Sequence, residues 1–297
     1  MKKAEFGSVA FFRRLIALST LIILIVLALA LILTSNRLGK IKEDLAYYKN
    51  NNAAGSVLAQ STAVQQDGEN FDYEMLYPDM YVTAPSEHTR LYDAERFAYL
   101  TFTGSPNEVT ESILDALAMY DVKGTFFIYG GDSDEGKRIM KRIVDEGHAI
   151  GVYAYDQSQK ELYMSIETYM ESFHNQFVLI NDATDVKPNI FRFAGGTTNK
   201  YNTVIRQPLC SEMVRRGFSY YDWNCTGGDN LAGATKESIV ETALATGGEK
   251  QRLFMMLHCT KANGATAQAL PDIIEHYRDA GYEFRAITND IQPMAFE

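Results

Sequence analysis

A chain of 297 residues that is 46% hydrophobic can build one full-sized domain with appendages and bury a sizeable core. Its formal charge of −10 argues against a nucleic-acid partner and against close contact with an anionic membrane surface. The three cysteines, Cys210, Cys225 and Cys259, are widely spaced and form no CxxC pair, so neither a zinc ribbon nor a disulfide scaffold is indicated.

Residues 15–33 are almost entirely Leu, Ile, Val and Ala, interrupted only by Ser19 and Thr20. Roughly 20 such residues span the hydrocarbon core of a bilayer as a helix. A cleavable signal peptide is the rival, with small-residue spacing at Ala28-Leu29-Ala30, but the run is longer than a usual signal-peptide core. The expectation is an uncleaved transmembrane signal anchor over 15–34, with 1–14 cytoplasmic. Lys2, Lys3, Arg13 and Arg14 before the run are balanced by Arg37, Lys40, Lys42 and Lys49 after it. Orientation therefore rests on context: an N-terminal anchor before a large domain usually places that domain outside the cytoplasm.

Leu38, Ile41, Leu45 and Tyr48 fall at 3–4–3 spacing and predict a short stalk helix. Residues 50–70, rich in Asn, Ala, Gln, Ser and Gly, read as a flexible spacer, so 35–71 is stalk and linker. Residues 72–92 carry Tyr73, Met75, Leu76, Tyr77, Met80, Tyr81 and Tyr92. That is too apolar for a linker and predicts packing on the outside of the following domain.

From residue 97 strand and helix signals alternate. Strands are predicted at 97–102, 124–129, 149–153, 189–193, 218–223, 253–258 and 282–287. Helical patterns lie between them at 109–117, 139–144, 166–180, 209–216, 238–245 and 269–277. Gly147, Gly217 and Gly281 stand just past three of these helices, where a stop is expected. Seven strands alternating with helices predict parallel strands in a closed or nearly closed barrel. An open doubly wound sheet is the alternative, although no GxGxxG loop supports a nucleotide site. In such barrels the strand ends at one face carry function. Here they read Thr103-Gly104-Ser105, Tyr153-Ala154-Tyr155-Asp156-Gln157, Arg192-Phe193-Ala194-Gly195-Gly196, residues 224–229, and His258-Cys259. The first has the setting of a catalytic loop and carries no carboxylate.

From about residue 79 to the C-terminus the chain resembles the polysaccharide deacetylases, carbohydrate esterase family 4. Tyr99-Leu100-Thr101-Phe102 matches the strand before the family's Thr-Phe-Asp-Asp-Gly-Pro motif. Val122-Lys123-Gly124-Thr125-Phe126-Phe127 matches its second strand, and Gly147-His148-Ala149-Ile150-Gly151 the approach to its histidine motif. Phe191-Arg192-Phe193-Ala194-Gly195-Gly196 matches its arginine motif, and Leu257-His258 its last. The arginine motif and Ala269-Leu270-Pro271-Asp272-Ile273-Ile274 are similar to the bacterial peptidoglycan and chitin deacetylase branch.

The resemblance implies a deformed (β/α)7 barrel of parallel strands over 72–297, with its core at 96–288. It also implies hydrolysis of N-acetylglucosamine acetamides by Zn²⁺ or another divalent ion. One Asp and two His would hold the ion, a second Asp would act as base, a His with its Asp as acid, and an Arg would orient the base. Carried over position by position, the base falls on Thr103 and the metal carboxylate on Gly104. The metal histidines fall on Tyr153 and Gln157. Arg192, Asp229 and His258 are retained, whereas Thr226 and Asn230 depart from the motif around Asp229. With three ligand positions changed, no bound cofactor is expected.

Each retained residue has a structural reading beside the catalytic one. Arg192 could pair with Asp222 or Asp229. His258 with Asp229 could be an acid–base pair or a strut. His148 reads as a satisfied core histidine. Cys225 and Cys259 are open to a disulfide, a thiol nucleophile, a new metal site or free burial. Tyr153, Tyr155, Phe193 and Trp223 could stack on sugar rings or belong to the core. The expectation is a membrane-anchored, externally facing pseudo-enzyme of the cell envelope that binds an N-acetylglucosamine-containing glycan or a protein partner. The alternative is an active N-deacetylase with a rebuilt site.

Overall fold

The computed structural model describes residue 16, residues 72–88 and residues 95–296. The chain divides into two units, Met1–Gly68 and Glu69–Glu297. Apart from Ile16, the cytoplasmic segment, anchor, stalk and linker expected over 1–71 lie outside the described residues. Among those described, no helix is long and apolar enough to cross a membrane.

The second unit is built on β1 (Phe97–Gly104), in which all eight residues are buried. Such an unbroken buried run is what a central parallel strand requires, because both of its faces are covered. Asn107 ends the following loop and caps α1 (Glu108–Met119), its Oδ1 accepting from the Val109 amide at 2.8 Å. Then come β2 (Thr125–Ile128), α2 (Asp134–Asp145), β3 (Ala149–Tyr153), the short α3 (Gln159–Leu162), α4 (Ile166–Thr184) and β4 (Ile190–Arg192). The chain continues through α5 (Arg206–Arg215), β5 (Ser219–Tyr220), β6 (Cys225–Thr226), α6 (Lys236–Gly247), β7 (Arg252–His258), α7 (Gly264–Asp279) and β8 (Glu283–Phe284).

The strands form one sheet in the order β5-β4-β3-β2-β1-β7-β6, with β8 beside the start of β1. Every pairing is parallel. The fold is therefore a parallel-strand α/β half-barrel, consistent with a (β/α)7 plan. It departs from the predicted strands at the end of β1, which runs on to Gly104 instead of stopping at 102, and around residue 222. Residues 218–223 were expected to form one strand, but two short strands flank a break. There the Asp222 amide leaves the ladder and donates to Met294 O at 2.7 Å. Asn224 turns its side chain onto β7, donating to Arg252 O at 2.8 Å and accepting from the Phe254 amide at 2.9 Å.

Strand alternation sorts the core into two clusters. On β1, Ala98, Leu100 and Phe102 face the helices in the larger cluster. Phe97 and Tyr99 point to the concave side, in a smaller cluster with Phe127, Ile190, Tyr221, Phe254, Ile287 and Ile291. That alternation also decides which residues reach the mouth of the half-barrel.

Candidate functional site at the strand tips

Following the concave-side register to the strand ends gives Thr103 on β1, Tyr153 on β3, Arg192 on β4 and His258 on β7. Thr103 pairs with His258 and Tyr153 with Arg192 across their ladders. The parallel sheet thus brings together the residues that the sequence scatters over more than 150 positions.

Arg192 is 1% exposed. Its Nε donates to Tyr221 O at 2.9 Å, Nη1 to Thr103 Oγ1 at 3.2 Å and Nη2 to Asp222 O at 3.2 Å. The guanidinium lies 4.4 Å from the centre of the Phe127 ring and 5.4 Å from that of Trp223. Burial lowers its pKa to about 10, so it stays charged near neutrality. The suggested side-chain pairing with Asp222 or Asp229 is absent from the ion pairs of the described residues. Arg192 is held by carbonyls, a hydroxyl and ring faces instead. The Asp222 carboxylate is occupied by Thr197, through its amide at 2.9 Å and its hydroxyl, and by the Phe296 amide at 2.7 Å. Burial raises the pKa of Asp222 despite these donors.

His258 and Asp229 form a close pair. Asp229 Oδ1 lies 2.8 Å from His258 Nδ1, and Oδ2 accepts from the His258 amide at 2.7 Å. Thr266 Oγ1 donates to Oδ2 at 2.8 Å, and Asn263 Nδ2 to Asp229 O at 2.8 Å. A carboxylate on Nδ1 makes that nitrogen the donor and leaves Nε2 as the acceptor of the neutral ring. The arrangement can hold a proton at Nε2 and orient it. Thr266, which fixes the carboxylate, and Asn263, which holds the Asp229 backbone carbonyl, carried no sequence signal of those roles.

At the positions the family resemblance assigns to the ion and its base, the residues present fit neither. Thr103 Oγ1 already accepts from Arg192. Gly104 has no room for a side chain: an added Cβ would lie 2.7 Å from Cys259 Sγ and 2.9 Å from the Cys259 carbonyl carbon. Burial raises the Tyr153 phenol to about 12, keeping it protonated at neutral pH. Gln157 lies in a bend and offers only an amide. An absent side chain, a protonated phenol and an amide do not reproduce the imidazole and carboxylate donors such an ion takes, and the Thr103 hydroxyl does not replace the base carboxylate. Among the described residues, no group of three His, Cys, Asp or Glu could hold a metal.

Tyr153 instead joins two other rings. Its centroid lies 5.8 Å from that of Tyr129 and 5.7 Å from that of Tyr155, and the latter two are 5.3 Å apart. Sequence reasoning singled out Tyr153 and Tyr155 but missed Tyr129. Tyr129 ends a predicted strand on the same parity as Phe127, and that was the available signal.

Phe193 needs correction as a glycan contact. It is 2% exposed and packs among Tyr169, Phe191 and Tyr220. Arg192 and Phe193 are consecutive, so with Arg192 on the concave side Phe193 goes to the helix side. Trp223 stays at the mouth, half-buried between Arg192 and an edge-on Phe296 at 4.8 Å. Tyr155 is 41% exposed. All three cysteines are free. The Cys259 thiol is fully buried, and its pKa is pushed up to about 12, so it is not a ready nucleophile.

A polysaccharide deacetylase family model matches residues 92–208. A peptidoglycan-N-acetylglucosamine deacetylase of Bacillus cereus is 28% identical over 236 residues, covering 77% of this chain and 82% of that protein. A putative polysaccharide deacetylase of Bacillus subtilis is 26% identical, covering 67% and 70%. Among solved structures, the catalytic domain of a peptidoglycan N-acetylglucosamine deacetylase from Eubacterium rectale superposes with a TM-score of 0.64. It is 23% identical, and the match covers 72% of this chain and 97% of that one. A mutant of a CE4 family pseudoenzyme with restored enzymatic activity superposes with a TM-score of 0.57. It is 20% identical, and the match covers 69% and 71%.

Proposed function

The chain belongs to the polysaccharide deacetylase family, and from that premise we propose that it binds an N-acetylglucosamine-containing glycan without metal-dependent deacetylation. In this reading residues 15–34 anchor it in the membrane and the domain works outside the cytoplasm, in the cell envelope. The family acts on such glycans, as the names of its peptidoglycan-directed relatives state. The observation that carries the reading is the closed space at Gly104. A metal carboxylate needs at least a Cβ there, and Cys259 Sγ stands 2.7 Å from it. Without a Lewis acid, nothing brings the attacking water from a pKa of about 16 toward 7, and with Thr103 at the base position no carboxylate takes its proton. Arg192 is then a scaffold for the loop around Tyr221 and Asp222.

The test pairs metal content with turnover. The purified chain is equilibrated with Zn²⁺, Co²⁺ or Ni²⁺, its bound metal is measured, and acetate release from N-acetylglucosamine oligomers is followed. The expected result is far less than one ion per chain and no acetate above background. Stoichiometric metal together with acetate release would overturn the reading.

The intact His258–Asp229 pair favours a second reading, an active N-deacetylase with a rebuilt site. Its signature in the same assay is acetate release without bound metal that His258→Ala abolishes. A protein partner in place of a glycan would appear as a domain that binds no oligomer.

A further inference from the structure

Three tyrosines meet where the family pattern expects an ion. Tyr153 ends β3 on the concave side, and Tyr155, two residues on, reaches the surface with 41% exposure. Tyr129 follows β2, its amide donating to Gly104 O at 3.3 Å, which sets it beside the Thr103-Gly104 tip. The three centroids are 5.3–5.8 Å apart, and no two rings are parallel: their planes meet at 43°, 48° and 71°. Tyr153 is half-buried, Tyr129 partly so and Tyr155 exposed, so the cluster steps from the mouth to solvent. One strand beyond Gly104, His258 stands in register with Thr103.

We propose that Tyr129, Tyr153 and Tyr155 are a stacking platform for one N-acetylhexosamine ring of the glycan, a recognition site standing in place of the ion. The proposal rests on the glycan-binding reading and names the residues that would carry it. Aromatic faces take the C–H-rich face of a pyranose by dispersion and weak C–H contacts. Phenol hydroxyls offer a donor and an acceptor to sugar hydroxyls or to the acetamide. The platform brings no formal charge, and the ligand it suits is a neutral acetylated sugar rather than a polyanion. Its neighbour His258 keeps Nε2 for one further hydrogen bond.

The full chain in detergent solution is titrated with a tetramer of β-1,4-linked N-acetylglucosamine in a calorimeter. A parallel titration follows the fluorescence of Trp223, the one tryptophan of the chain. Tyr155→Ala removes an exposed ring, so its melting temperature should match the parent. We expect it to bind about tenfold more weakly or worse, a loss of about 1.4 kcal/mol or more. Tyr155→Phe keeps the face and should retain most of the affinity. If Tyr155→Ala binds as the parent does, the platform is wrong while the glycan reading stands. If the parent chain itself binds no tetramer, both fall together.

Discussion

Arg192 shows how a charged side chain can stay in place after its usual carboxylate partner is gone. Burying an unpaired guanidinium is costly unless its donors are met. Here two backbone carbonyls and the Thr103 hydroxyl meet three of them, while Phe127 and Trp223 face the cation. A second buried group at residue scale, His148, gives a pH prediction. Its Nδ1 accepts from the Gly124 amide at 3.0 Å, so the ring is neutral with the proton on Nε2. Nε2 has no hydrogen-bond partner, and Glu146 Oε2 is 3.8 Å away. Burial, with Lys123 adding to it, lowers the pKa from 6.5 to about 4. As pH falls, the unfolded chain therefore takes up the proton first. The stabilising contribution is complete above about 6.5 and is lost progressively toward 4, up to about 3 kcal/mol. Urea titrations across that range should show the slope. His148→Gln, which keeps an acceptor for Gly124, should flatten it, and an unchanged slope would refute the assignment.

At the scale of elements, the decisive contact is between the ends of β1 and β7. Their register runs from Phe97↔Arg252 to Thr103↔His258, and the Cys259 amide adds one more rung to Thr103 O at 3.1 Å. The exit of β7 thus passes directly over Gly104. Gly104→Ala should cost about 1–3 kcal/mol, because sulfur and backbone must both give way. Adding Cys259→Ala should restore part of that loss, since it removes only the sulfur. Thermal unfolding checks both, and a Gly104→Ala protein that melts with the parent would contradict this packing. The strand was legible in its sequence over 97–102, from the bulky apolar Phe97, Tyr99, Leu100 and Phe102, although its last two residues, Thr103 and Gly104, read as loop. Its neighbour was not: nothing in Leu257-His258-Cys259 says that the thiol lies against a glycine on another strand. The break between β5 and β6 was equally hidden, since Asn224 draws its chain onto β7 by contacts distant in sequence.

Across the whole described domain, Arg216 makes the most buried of several ties between the opening segment and the helical layer, beside the His174–Asp79 pair and the Arg215 bond to Glu74 O. Arg216 is fully buried and pairs with Glu212 at 2.6 Å. It also donates to the carbonyls of Leu76 at 2.8 Å, Tyr77 at 2.9 Å and Tyr73 at 3.2 Å. Val82 returns a bond to Arg216 O at 3.0 Å, and Gly217 leaves the space for that approach: an added Cβ would sit 2.1 Å from Val82 O. The apolar run at 72–82 thereby becomes part of the domain surface. Arg216→Ala should cost about 3–5 kcal/mol, as breaking a buried pair does. It should also open 72–82 to limited proteolysis before the rest of the domain unfolds. Protection equal to that of the parent would show that the remaining ties, the His174–Asp79 pair and the Arg215 bond to Glu74 O among them, hold the segment together with apolar packing.

The order of strands and helices, the parallel sheet and the family pattern were determined by the sequence alone. They follow from apolar periodicity and from motif spacing, which are local along the chain. So was the loss of the base side chain at 103 and of the ligand side chains at 104, 153 and 157, which is a matter of residue identity. Tertiary structure decided the rest. It placed Phe193 in the helical core, held Arg192 with carbonyls, gathered Tyr129 with Tyr153 and Tyr155, and closed the space at Gly104 with Cys259. Identity along a chain says which atoms are available; the room around them is set by strands that pair far apart in sequence.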